Sequence, residues 1–343
     1  MSDRLPPFDA EISLAMAEQA DLVVTALAPE EIVALRARAT PPDIHAVAAE
    51  TGCTVSEHRA PGPDGDVPVT LVRPQDGAGP LPVLLHLHGG GLIAGAVSDN
   101  VDAALAVAPG WAVASVDYRL APEHRYPAAV EDAYAALLWL VADAERLGVD
   151  PTRVVVTGVS AGGGLAAALA LLARDRGGPP LLGQMLVYPM LDDRNDSGSG
   201  RQMAGAGTWD RHANATGWGA YLGAAAGGPD TPGYASAARA STLDGLPPAF
   251  IDVGSAETFR DECVQYAARL WADGGDAELH VWPGGCHGFD GLAPSARLSI
   301  AARAARASWL ERLLARESSL SPTSAGVLPD PRPPFRTLTE SHP

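Results

Sequence analysis

Residues 153–176 read RVVVTGVSAGGGLAAALALLARDR, and the fold turns on how Gly158-Val159-Ser160-Ala161-Gly162 is taken. A β-branched run, Val154 to Thr157, leads into the serine, and a small-residue helical pattern, AGGGLAAALALLA, leads out of it. Strand, sharp turn and helix form the setting in which the serine of a G-x-S-x-G pentapeptide is exposed as a nucleophile. Gly158 and Gly162 remove the Cβ atoms that would collide in so tight a turn. The pentapeptide alone has little weight in a chain with 37 glycines among 343 residues. Its meaning depends on what surrounds it.

Outward from Ser160, short apolar runs alternate with longer helical patterns. The runs are PVLLHLH (82–88), WAVASVD (111–117), RVVVTG (153–158), QMLVYP (184–189), PAFIDVG (248–254) and ELHVWPG (278–284). Continuous runs of this kind suit strands buried on both faces of a parallel sheet. Upstream, TVSEHRA (54–60) and VPVTLVR (67–73) flank the turn PGPDGD and predict an antiparallel hairpin. The expectation is an α/β fold with about eight mostly parallel strands. Segments 127–148 and 261–275 carry apolar residues at helical spacing. Residues 9–50 read as two helical stretches, 10–27 and 29–39.

The interval 192–245 breaks this alternation and is too long for an ordinary connection. It reads as an inserted, largely helical cap, which with residues 1–50 would roof a site borne by 51–191 and 246–316. Residues 317–343 are rich in Pro and Ser and are expected to be disordered.

Bulk properties exclude several classes of function. A hydrophobic fraction of 47% with 19% charged residues is globular. The formal net charge of −17, with no lysine at all, opposes nucleic acid or an anionic membrane as partner. Three cysteines, Cys53, Cys263 and Cys286, show neither a disulfide framework nor zinc spacing. With no signal peptide and no apolar run of membrane length, a cytoplasmic location is expected.

A serine hydroxyl needs a base to take its proton and donors to hold the oxyanion. HLHGGGL (86–92) follows a strand and offers the amides of Gly89 and Gly90, which with that of Ala161 would form an oxyanion hole. His86 and His88 share a strand face, but no carboxylate or cysteine stands near them at ligand spacing, so no metal is expected. His88 is expected to brace the glycine loop. His287 follows the last strand in a Gly-rich loop and is the candidate base. Four acids follow or lie in the preceding strand: Asp252, Glu257, Asp261 and Glu262. Glu257 is preferred because it lies in the loop itself, whereas Asp261 and Glu262 open a helix whose dipole suits their charge. Asp261 remains the alternative. Leu92, Trp209, Trp218 and Tyr221 are candidate pocket residues, the last three equally suited to packing the cap, and Asp117, Arg119, Glu123 and Arg125 are expected to pair as an ionic brace beneath the site.

Together, HGGG (88–91), DYRLAPEHRYPAAVED (117–132), GVSAGG (158–163), SAETFRDE (255–262) and CHGF (286–289) resemble the hormone-sensitive-lipase-like branch of the α/β-hydrolases, the bacterial esterase and lipase group. The resemblance spans about residues 50–315. It implies an α/β-hydrolase fold, the order nucleophile, acid, base, and hydrolysis of small-molecule carboxylic esters without a cofactor. It also implies a helical cap and frequent dimerisation through the last strands. Two positions depart from the group's usual pattern: Asp, commonly followed by Pro, is more usual where Glu257 stands, and an aromatic residue is frequent at Leu92. The same three residues would also suit an amide or formamide, and a small-molecule receptor on this fold is the competing class; such receptors typically lose the serine or the histidine.

Overall fold

The computed structural model describes residues 4–20 and 23–320 of the chain. Eight strands form one sheet: β1 (Cys53–Gly62), β2 (Gly65–Pro74), β3 (Leu81–Leu87), β4 (Ala112–Val116), β5 (Val149–Val159), β6 (Gly183–Val187), β7 (Ala249–Gly254) and β8 (Ala277–Trp282). Their spatial order is β1-β2-β4-β3-β5-β6-β7-β8. The β1–β2 hairpin turns at Gly62 and Gly65, and β2 lies antiparallel to β4. From β4 to β8 every pairing is parallel.

Burial explains why the central runs lack alternation. Every residue of β4, β6 and β7 is buried, because helices cover both faces. Helices Val101–Val107 and Arg297–Leu320 pack on one another, and helices Ala128–Ala142 and Ala161–Asp175 do likewise. Arg260–Ala272 packs on β7 and β8. β1 and β8 are the two edges of the sheet, and the residues of β8 are half-buried or exposed. No helix among the described residues is long and apolar enough to cross a membrane.

Several expectations need correction. Among the described residues the N-terminal region holds three α-helices, Ala10–Glu18, Ile32–Arg38 and Ile44–Glu50. The third is started by Asp43, whose carboxylate accepts the N–H groups of His45 and Ala46. The first stops at Glu18, and Val24 instead bridges to Trp209. The pattern at 127–148 is two helices, divided at Asp143.

The interval 192–245 contains one twelve-residue helix, Arg211–Leu222, one of five residues, Gly198–Gln202, and two 3-10 turns. Much of it is therefore irregular rather than largely helical. Polar side chains hold that backbone: buried Asp193 accepts from Arg239, Thr231 and the Gly227 N–H.

The final helix runs to Leu320, so residues 317–320 continue it, and the rest of the Pro/Ser-rich tail lies outside the described residues. The expected brace at 117–125 also differs. Arg119 pairs with Asp132 and Asp64, and Glu123 with Arg36 of the N-terminal region. Asp117 and Arg125 are exposed and stand outside these pairs. Partners distant in sequence satisfy the charges, which spacing within the segment does not reveal.

Candidate active site

β5 ends at Val159, and the helix Ala161–Asp175 begins immediately after Ser160. Between them Ser160 has φ 59° and ψ −119°, a conformation that L residues rarely adopt. The surroundings over-determine it. Its N–H donates to the Val187 carbonyl, and its own carbonyl accepts from Gly164 and Met190. The helix can approach β3 only because residue 162 has no side chain: a Cβ there would lie 2.0 Å from the Leu87 carbonyl oxygen.

Ser160 Oγ lies 2.8 Å from His287 Nε2, and His287 Nδ1 lies 3.2 Å from Glu257 Oε1. Three loops, after β5, β7 and β8, are thus joined by one run of hydrogen bonds. The second oxygen of Glu257 accepts the Gly254 N–H at 3.2 Å. The Glu257 side chain is fully buried, and that of His287 is 11% exposed. Such a chain holds the imidazole with its Nδ1 proton toward the carboxylate and leaves Nε2 free to accept from the serine.

The other acids are engaged elsewhere. Asp261 accepts the Ser199 N–H at 2.7 Å and pairs with Arg260. Buried Glu262 accepts the Leu191 N–H, and its burial pushes its carboxyl well above the ordinary value. Asp252 pairs with Arg306.

Gly89 lies against the nucleophile, since a Cβ on it would meet Ser160 Cβ at 3.6 Å. Gly90 has φ 111°, which glycine tolerates readily. Among the described residues no acceptor takes the N–H of Gly89, Gly90 or Ala161. Backbone donors beside a serine hydroxyl are what an incipient oxyanion requires.

His88 Nδ1 contacts the Gly89 carbonyl at 2.8 Å, and its ring stacks on Tyr118, whose hydroxyl donates to the His88 carbonyl. Burial lowers the His88 pKa to about 4, so it is neutral near pH 7. His86 contacts the Asp99 carbonyl. Among the described residues no group of three or more His, Cys, Asp or Glu is placed to hold a metal ion.

The four candidate pocket residues separate into two pairs. Leu92 is buried at φ 65° in the glycine loop, and the Trp209 ring covers Gly91 of the same loop. Trp218 and Tyr221 are packed inside the inserted segment, and Tyr221 stands edge-on to Tyr126. Tyr221 lines a cavity of about 340 Å³ with Arg125, Tyr126 and Pro229, a cavity whose walls include none of Ser160, Glu257 and His287.

Three residues at the site escaped sequence reasoning. The rings of Tyr188 and Phe259 stand 4.9 and 5.0 Å from that of His287, both nearly perpendicular to it. Thr208 of the inserted segment donates to the His287 carbonyl. Aromatic residues at the ends of QMLVYP and in SAETFRDE were the available signal. Cys286, next to His287, is buried, and its thiol is pushed up to about 12, chiefly by burial.

This sheet order, with the elbow at Ser160, defines the α/β-hydrolase class. A family model described as alpha/beta hydrolase fold matches residues 84–291. The chain is 40% identical over 246 residues to carboxylesterase NlhH of Mycobacterium tuberculosis, covering 69% of this chain and 76% of that protein. Among solved structures it is similar to a bacterial heroin esterase, with TM-score 0.81 and 36% identity over 90% of this chain and 98% of the other. It is also similar to esterase LipW from Mycobacterium marinum, with TM-score 0.73 and 35% identity over 90% and 92% of the two chains. The chain belongs to the hormone-sensitive-lipase-like branch of the α/β-hydrolases.

Proposed function

We propose that this chain is a serine carboxylesterase that hydrolyses small-molecule carboxylic esters of short to medium acyl length. The observation that carries the reading is the run Ser160–His287–Glu257, with Gly89 packed against the serine. Ser160 Oγ attacks the ester carbonyl carbon while His287 Nε2 takes its proton. The carbonyl oxygen becomes an oxyanion held by the N–H groups of Gly89, Gly90 and Ala161. His287 then returns the proton to the leaving alkoxide, and an acyl-enzyme remains. Water, deprotonated by the same nitrogen, attacks the acyl carbon, and collapse releases the acid and restores Ser160. Glu257 stabilises the transient imidazolium. The names of the similar proteins, carboxylesterase and heroin esterase, support an ester over an amide.

Residues 1–50 and 192–245 act as a cap in this reading. The Val24–Trp209 bridge and the Ala26 N–H to Asp210 contact support it, because they join the two segments directly. Leu92 and Trp209 border the bound ester, whereas Trp218 and Tyr221 stiffen the cap. The open edge at β8 supports a homodimer. Three buried, unpaired cysteines support a cytoplasmic location.

Hydrolysis of p-nitrophenyl esters from C2 to C16 tests the function, with Ser160→Ala alongside. Turnover is expected to be greatest at the short end and to vanish in the variant. Retained hydrolysis in Ser160→Ala would overturn the mechanism.

A further inference from the structure

Two hydrogen bonds, at Nδ1 and Nε2, define an axis through the His287 ring and leave rocking about that axis unopposed. Only groups packed against the ring can oppose it. Phe259 and Tyr188 do so, and they differ in how they are themselves held. Phe259, at the start of the helix Arg260–Ala272, has a buried ring with no polar group to anchor it. Tyr188 is held at its backbone, its hydroxyl and its ring.

Its φ is 35°, a value that a bulky L residue keeps only when its surroundings enforce it. Its N–H donates to the Asp252 carbonyl at 2.7 Å. Its hydroxyl donates to Asp290 Oδ1 at 2.9 Å, in a fully buried setting. Arg306 lies 5.9 Å from the centre of its ring. Arg306 is itself buried and bonds both Asp290 and Asp252, and Asp252 also accepts from Trp282 Nε1. The end of β6, the strand β7 and the loop after β8 therefore meet at one guanidinium of the last helix. Breaking either of these buried ion pairs would leave a charge uncompensated, which holds Arg306, Asp290 and Asp252 in one geometry.

We propose that Tyr188, anchored through Asp290 to Arg306, is a positioning residue that fixes the plane of the His287 imidazole for both proton transfers. The role rests on the reading of His287 as the base. Proton transfer demands an aligned donor and acceptor, and small misplacements of a catalytic group lower rates steeply. The transfer to a leaving ethoxide is the more demanding one, because p-nitrophenolate departs without protonation.

The test compares Tyr188→Phe and Tyr188→Leu with the parent on p-nitrophenyl acetate and on ethyl acetate, each rate normalised to sites titrated with an organophosphate. Tyr188→Phe, which keeps the ring and loses its anchor, should lower kcat about 10-fold with KM within about twofold. Tyr188→Leu should lower it about 100-fold, and both losses should be larger on ethyl acetate. A change confined to KM, or kcat within twofold of the parent in both variants, would overturn the proposal. His287→Ala separates the two readings. If it still hydrolyses, the base assignment falls and the positioning role with it; if it is inactive while both Tyr188 variants remain fully active, only the positioning role falls.

Discussion

Replacing Gly162 by Ala puts a methyl group where the backbone leaves no room for one. Its carbon would sit 2.0 Å from the Leu87 carbonyl oxygen and 2.4 Å from that of His88. Both are backbone atoms at the end of β3, so no rotamer change relieves the overlap. Ordinary contact begins near 3.4 Å. The end of β3 and the start of the helix must therefore part by roughly 1 Å, a misplacement of the size that lowers rates about 100-fold. That parting separates the amides of Gly89 and Gly90 from that of Ala161, the three groups proposed to hold one oxygen. Gly162→Ala is expected to lower kcat on p-nitrophenyl acetate about 100-fold, and overpacking should destabilise the fold by about 1–3 kcal/mol. Gly219→Ala is the control. A Cβ there meets nothing within 4 Å, so that variant should keep its kcat and gain about 0.5–1 kcal/mol from helix propensity. Steady-state kinetics and chemical denaturation of the three proteins decide the matter. A folded Gly162→Ala with kcat within threefold of the parent would refute the account of how the oxyanion donors are spaced.

Two other outcomes follow from the same geometry. Glu257→Gln removes the carboxylate that faces His287 Nδ1 and should lower kcat by about 10⁴, whereas Asp261→Asn, which loses contacts to Ser199 and Arg260, should change kcat only severalfold; the reverse ranking would move the acid to Asp261. His88 makes stability depend on pH: its pKa is about 4 in the folded chain and 6.5 for an unperturbed imidazole, so below about pH 6.5 the unfolded chain takes up a proton that the folded chain refuses. Its contribution is complete above that value and is lost as pH falls toward 4, by about 2 kcal/mol between pH 7 and 5. Urea titrations at the two pH values should show this loss shrinking in His88→Asn, and an unchanged difference would count against it.

The centre of the sheet was legible because parallel strands covered on both faces must be apolar without interruption, and all eight expected segments are strands. The hairpin, the elbow at Ser160 and the loops bearing His287 and Glu257 were legible for a related reason, since each motif abuts such a run. The cap was less so. Its irregular backbone is held by Asp193, Asp210 and their partners, and such bonds leave no period in the sequence.

The sequence by itself therefore determined the α/β sheet, the elbow and a short set of chemically competent residues, because burial and turn geometry write themselves into local pattern. Only the tertiary structure decided which of four acids faces His287, that Arg119 pairs with Asp132 and Asp64, and that Tyr188 stands against the imidazole. Those outcomes depend on loops and helices meeting at the ends of strands far apart in the chain, and nothing in local spacing encodes where they meet.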